Sequence, residues 1–155
     1  MKLEREEDLA AIVRAARVVA VVGMKDDTRA GQAALEIPRM LVARGMAVIP
    51  VNPTIGSSLG RPSYARLADV PVAFDVVDVF RRPERIPALA DEILALPVER
   101  RPAVVWLQSG IRHDEAAARL EAAGIRVVQD ACLGVIAARY LPPAEPPGFP
   151  PAARS

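Results

Sequence analysis

The sequence predicts an α/β protein: a single doubly wound, Rossmann-like domain with a five-stranded parallel sheet and helices on both faces. Three observations predict it. Short apolar runs of strand length alternate with segments of helical period, which is the rhythm of repeated βαβ units. The runs are continuous and rich in β-branched residues rather than alternating apolar with polar, as strands covered on both faces require. The chain has 155 residues, 52% of them hydrophobic, enough for one such core and too few for a second domain beside it.

The elements follow in order. Charged and apolar residues at helical spacing predict a leading helix over about 4–16, before the first strand, VVAVVG at 18–23. ALEIPRMLVARG is the first crossover helix, in which Pro38 should delay the start or distort it, giving a true helix with an irregular first turn. The second strand is AVIPV at 47–51 and the third FDVVDVF at 74–80, with PERIPALADEILAL as the next helix. AVVWL at 103–107, the helix HDEAAARLEAAG, IRVVQ at 125–129 and a closing helix over about 132–140 complete the series. Gly45 and Gly124 each stand between a helix and a strand, where a left-handed residue ends the helix. The domain is expected to span 1–141, and 142–155 to be a proline-rich flexible tail, because six of the ten residues from 142 to 151 are proline.

Composition excludes several functions. A net charge of +1 with no long basic run gives no reason to expect a nucleic-acid partner. Cys132 is the sole cysteine and His113 the sole histidine, which excludes a disulfide framework and leaves too few soft ligands for zinc. The N-terminus lacks the basic-then-apolar pattern of an export leader, and no apolar run approaches the roughly 20 residues that span a bilayer. A cytoplasmic protein with no metal and no membrane partner is expected. Domains of this size and class often pair, so a homodimer is possible, although no interface is evident in the sequence.

In an open parallel sheet, ligands bind beyond the carboxyl ends of the strands where strand order reverses, which singles out the loops 23–31, 52–60, 81–83 and 108–112. The first places Gly23 at a strand end and Gly31 near a helix start, whose N–H groups and dipole suit an anion, with Lys25 and Arg29 adding charge. A tight turn with solvated cations is the equal alternative. The dinucleotide fingerprint is missing: Lys25 and Thr28 stand where glycines belong, and Asn52 ends the second strand where NAD needs an acid for its ribose. Arg81 and Arg82, adjacent at a strand end, must face solvent, an acid or a phosphate. Trp106 suits the core, and Gln108 could offer its amide to a ligand.

Taken together, VVGMKDDTR, VIPVNP followed by LG, DVVDVFRRPE, VVWLQSGIRH and VVQDACLGV resemble the small stand-alone CoA-binding-domain family, related to the CoA-binding domain of the succinyl-CoA synthetase α subunit. The resemblance covers about 16–141. It implies a Rossmann-like fold with coenzyme A, or an acyl-CoA, lying across the strand ends. Carried over by position, Gly23, Met24 and Lys25 line the first turn with Arg29 near the phosphates, and Val51, Asn52 and Pro53 form a second wall. Phe80, Arg81 and Arg82 border the nucleotide, and Leu107, Gln108 and Ser109 follow on the fourth strand end. The ligand's chemistry agrees, since a pyrophosphate and a ribose monophosphate call for converging Lys and Arg and would repel a carboxylate at Asn52. The chain departs from the family at Lys25, where many members carry a small residue such as Ser, and at His113, where asparagine is common.

No catalytic set emerges. Ser109, His113 and Asp114 can be written as a triad, but Asp114 directly follows His113 and is badly placed to orient it, and the stretch reads better as a helix start with acids in its first turn. Cys132 opens the last helix, either as a small buried residue or as a thiol that meets the pantetheine thiol. The expectation is therefore a non-catalytic carrier, sensor or regulatory module. A small acyl-CoA enzyme and, further off, an NAD(P)-binding oxidoreductase are the alternatives.

Overall fold

The computed structural model describes residues 6–144. The proline-rich tail from 145 onward and the first two residues of the expected leading helix lie outside them. The elements are α1 (Glu6–Ala15), β1 (Val18–Val22), α2 (Ala33–Ala43), β2 (Ala47–Val51), β3 (Ser57–Ser58), β4 (Arg61–Pro62), β5 (Val76–Val79), α3 (Ile86–Leu94), β6 (Val104–Leu107), α4 (Asp114–Ala122), β7 (Arg126–Val128) and α5 (Leu133–Tyr140). Five strands form one parallel sheet in the order β2-β1-β5-β6-β7. The expected doubly wound architecture is what the chain adopts.

Strand alternation divides the core into two layers. Ala20, Val22, Val77, Val79, Val105 and Leu107 pack beneath Ile86, Leu89 and Ile93 of α3 and Ala116 and Leu120 of α4. Val19, Val21, Val76, Val104 and Trp106 face the other way, against Ile12 and Val13 of α1, Leu41 of α2 and Leu133 and Ile136 of α5. Because both faces are covered, the strands carry no polar alternation, which is why they were recognisable as continuous runs. Trp106 is fully buried and its indole N–H donates to the Ala131 carbonyl at 2.9 Å.

The edges explain two details of sequence. Pro50 lies on the outer strand β2, where its missing N–H costs no ladder bond, and its carbonyl accepts from Tyr64 N–H at 3.1 Å. The third strand is shorter than expected, running Val76–Val79; Asp75 just before it keeps its N–H on Val18 O at 2.9 Å, and its carboxylate caps β1 by accepting the Arg17 and Val18 N–H groups at 2.8 and 2.9 Å. Gly45 and Gly124 end their helices with φ of +92° and +86°, as their spacing predicts.

Pro38 does not break α2. It sits buried inside a helix running from Ala33 to Ala43, and the cost is one missing N–H toward the carbonyl four residues back. That carbonyl, Ala34 O, instead accepts the N–H of Lys25 at 3.1 Å. The proline thus hands a helix acceptor to the loop after β1, which ties helix chemistry directly to the strand ends.

One element has no counterpart in the sequence reading. The hairpin β3–β4 turns through Leu59 and Gly60, both at positive φ (+51° and +76°), and a leucine there gives no turn signal. It is held by Asp27, whose carboxylate accepts Leu59 N–H at 2.9 Å, and by Ser58, whose hydroxyl donates to Lys25 O at 2.6 Å.

Candidate functional site

β1 has β2 on one side and β5 on the other, so the loops leaving their carboxyl ends diverge and open a crevice. A cleft of about 370 Å³ occupies it. Gly23 and Lys25 border it from the first loop, Asn52, Pro53 and Thr54 from the second, and Phe80, Arg81 and Arg82 from the third. Arg85 adds a fourth cation that the sequence reading missed. Its signal was present: Pro83–Arg85 is a single 3-10 turn, in which residues three apart eclipse, so Arg82 and Arg85 fall on one side.

The electrostatics of the cleft are one-sided. Lys25, Arg82 and Arg85 are exposed and Arg81 half-buried, and no carboxylate lines the cleft with them. None of the three guanidiniums makes an ion pair or side-chain hydrogen bond among the described residues. Clustered like charges without partners repel, so the arrangement favours an anion that several of them reach together.

The first loop is built differently from a simple helix-start anion site. A 3-10 turn, Asp27–Arg29, precedes α2 and is capped by Asp26, whose carboxylate accepts from the Thr28 N–H and hydroxyl; these bonds hold Asp26 below its ordinary range. Gly31 N–H, the expected phosphate donor, is already taken by the Glu36 carboxylate at 2.8 Å. Arg29 is exposed on that turn, beside Asp26, and is not among the residues lining the cleft.

Asn52 serves as a clamp between loops. Its Nδ2 donates to Met24 O at 2.8 Å, while Oδ1 accepts the Thr54 N–H and hydroxyl at 2.9 and 2.7 Å. An aspartate could not donate to Met24 O, so the residue that opposes NAD binding also shapes the first turn. Replacing Asn52 by alanine should cost about 2–3 kcal/mol in denaturant unfolding, since it orphans a buried carbonyl and removes the turn. A cost under 1 kcal/mol would show that the turn holds without it.

Four of the remaining expected site residues point inward. Met24, Val51 and Leu107 are buried side chains that can offer a ligand only backbone, and Gln108 is buried against Asp78, to which its Nε2 donates at 2.6 Å. Ser109 is exposed on the turn after β6, away from the cleft lining. His113 caps α4: its Nδ1 accepts Ala116 N–H at 3.1 Å, and Asp114 bonds Arg112 and Gln129, so these residues are engaged structurally. Cys132 is the half-buried N-cap residue of α5.

A larger hollow of about 540 Å³ lies at the opposite edge, lined by Ala11 and Ala15 of α1 and by the strand starts. Its carboxylate, Asp75, is consumed by the β1 cap, and it lacks the converging charges of the crevice. Chemistry therefore selects the smaller cleft.

Fold and cleft together define a class: a parallel α/β domain with a cationic crevice at its topological switch point. Within that class the chain belongs to the CoA binding domain family, which it matches over residues 17–138. It is 32% identical over 135 residues to the uncharacterized protein YneT of Bacillus subtilis (strain 168), covering 87% of this chain and 96% of that one. Among solved structures it is similar to cell-free ID.343 from Thermus thermophilus, with 37% identity, a TM-score of 0.79 and coverage of 88% and 99%. It is also similar to Prb, the PH1109 protein redesigned for binding, with 26% identity, a TM-score of 0.81 and coverage of 90% and 94%. No helix among the described residues is long and apolar enough to cross a membrane.

Proposed function

We propose that this protein binds coenzyme A or an acyl-CoA in the crevice between the ends of β2, β1 and β5, and acts in the cytoplasm as a carrier, sensor or regulatory module. The observation that carries this reading is the cluster of Lys25, Arg81, Arg82 and Arg85 around one cleft with no carboxylate among them. Coenzyme A presents a pyrophosphate and a ribose monophosphate, and three or four cations on mobile stems can meet these separately. Asn52 supports the choice over NAD, because its amide is engaged with Met24 and Thr54 and leaves no acid for ribose hydroxyls. Membership of the CoA binding domain family points the same way.

Thermal-shift titration with coenzyme A, acetyl-CoA, NAD, NADP and ATP tests it. At 100 times its Kd a ligand adds about 2.7 kcal/mol, roughly 5–10 °C in a domain of this size. Stabilisation by coenzyme A and not by NAD is expected, and the reverse would overturn the assignment. Arg82→Ala should weaken coenzyme A about tenfold, the loss of one charge-assisted contact, while leaving the unliganded midpoint unchanged.

A further inference from the structure

Two buried side chains under the crevice take no part in binding as proposed. Asp78 on β5 is fully buried and Gln108, just beyond β6, is 3% exposed. Both face the layer that holds Val76, Val104 and Trp106, because Val77 and Val79, and Val105 and Leu107, face the other. Gln108 Nε2 donates to Asp78 Oδ1 at 2.6 Å, but Asp78 Oδ2 and Gln108 Oε1 have no hydrogen-bond partner. Two orphaned acceptors in one buried pair are costly, and one proton removes both deficits. A neutral carboxyl accepts the amide N–H on one oxygen and donates its O–H to the amide oxygen from the other, closing a ring.

Among the described residues, the surroundings offer no counter-ion. β1 contributes Val19 and Val21, β6 contributes Val104 and Trp106, and α1 and α5 contribute Leu9, Ile12, Leu133 and Ile136 to the same apolar layer. The charged groups of those helices lie outside it: Glu6 pairs with Arg139, Arg14 lies over Tyr140, Glu7 is exposed and Asp8 half-exposed. At the strand ends, Lys25 and Asp130 are exposed, Arg81 and Cys132 half-buried, and Asp130 accepts from Gly110 N–H. Burial pushes the Asp78 carboxyl up to about 7, opposed only by its bonds with Gln108 and the Val79 backbone.

We propose that Asp78 and Gln108 form a proton-held latch: the shared proton closes the ends of β5 and β6 beneath the crevice, and its release to solvent loosens them. In that step the Asp78 O–H bond breaks, the electron pair stays on the carboxylate, and the proton passes to water. The pair is then left with one donor group facing three acceptor oxygens. The loops that begin at Phe80 and Gln108 are anchored there by Phe80 N–H to Val22 O at 2.9 Å and Gln108 N–H to Val79 O at 3.3 Å. Coupling of the latch to coenzyme A rests on the binding reading above, whereas the latch itself does not.

The test uses the whole chain with carboxyl-13C NMR and amide exchange from pH 5 to 9, beside Asp78→Asn, whose amide can pair with Gln108 in the same ring without a titrating proton. The Asp78 carboxyl signal, assigned through the wild-type backbone, should titrate near neutrality; titration below pH 5 overturns the proposal. Protection of the Phe80 and Gln108 amides, corrected for intrinsic exchange, should fall at least tenfold across that titration in the wild type and stay level in Asp78→Asn. Unchanged wild-type protection overturns the latch, whether or not the variant folds. Coenzyme A should bind about tenfold more weakly at pH 8.5 than at pH 6 in the wild type only. If coenzyme A fails to bind at either pH while the carboxyl titrates near neutrality, the binding reading falls and the latch stands.

Discussion

Replacing Gly23 by alanine is expected to destabilise the protein by at least about 3 kcal/mol and to lower its thermal midpoint by roughly 10 °C. Gly23 has φ +86°, which alone costs a side-chain-bearing residue about 1–2 kcal/mol. A methyl group there would stand 2.3 Å from the Phe80 carbonyl oxygen and 3.1 Å from its carbon, so backbone must move. Phe80 has no slack to give, because its N–H is bonded to Val22 O at 2.9 Å, and Gly23 N–H is itself bonded to Val51 O at 2.9 Å. Three strand ends meet at this residue, and their separation sets the width of the crevice. Gly31→Ala is the matched control: its φ is +91° but nothing lies within 4 Å, so only the same conformational cost of about 1–2 kcal/mol applies. Denaturant unfolding of both variants decides the point. Equal losses would mean that the Phe80 carbonyl moves aside freely and that Gly23 is retained for its φ alone.

The same residue shows how much could be read from sequence. A glycine closing a β-branched run is a strand end on composition alone, and the five strands were legible because burial on both faces leaves their sequences uninterrupted. The hairpin at Leu59 was not, since its turn is imposed by Asp27 and Ser58 from outside rather than by residues that favour positive φ. Site residues divide in a similar way. Lys25, Asn52, Arg81 and Arg82 were marked by their place at strand ends and do border the cleft. Met24, Val51 and Leu107 were marked by the resemblance to the family, and Gln108 by its strand end as well, yet all four are buried, because a motif records position along the chain and not the side of the backbone to which a side chain points. Arg29 needed the unforeseen 3-10 turn to be located, and Arg85 needed a second. Asp78 was passed over as a strand residue, although a carboxylate in the middle of the apolar run VVDVF at 76–80 is an anomaly that β-propensity does not explain.

That anomaly yields the other large expected effect, a stability that declines from acid toward neutral pH and is flattened by Asp78→Asn. The unfolded chain ionises this carboxyl near 3.8, while the folded protein holds the proton up to about 7. Between those values the folded state carries a proton the unfolded state has lost, so the stabilisation is complete below about pH 4, falls as pH rises, and is exhausted above about 7. At 1.36 kcal/mol per unit the whole span is about 4 kcal/mol. Asp26 acts in the opposite sense, its lowered value withdrawing support only in strong acid, and it is present in wild type and variant alike. The difference between the two unfolding curves therefore isolates Asp78. Near pH 4 the two proteins should be about equally stable, since a neutral acid and an amide make the same paired bonds with Gln108. By pH 8 the asparagine variant should be the more stable by about 2–4 kcal/mol, because it keeps both bonds where the wild type has buried a charge without a counter-ion. Urea unfolding at intervals from pH 4 to 8 measures this directly. A difference that stays flat across the range would mean that water reaches the carboxylate and satisfies it, and that the strand ends beneath the crevice are more open than the packing of Asp78 indicates.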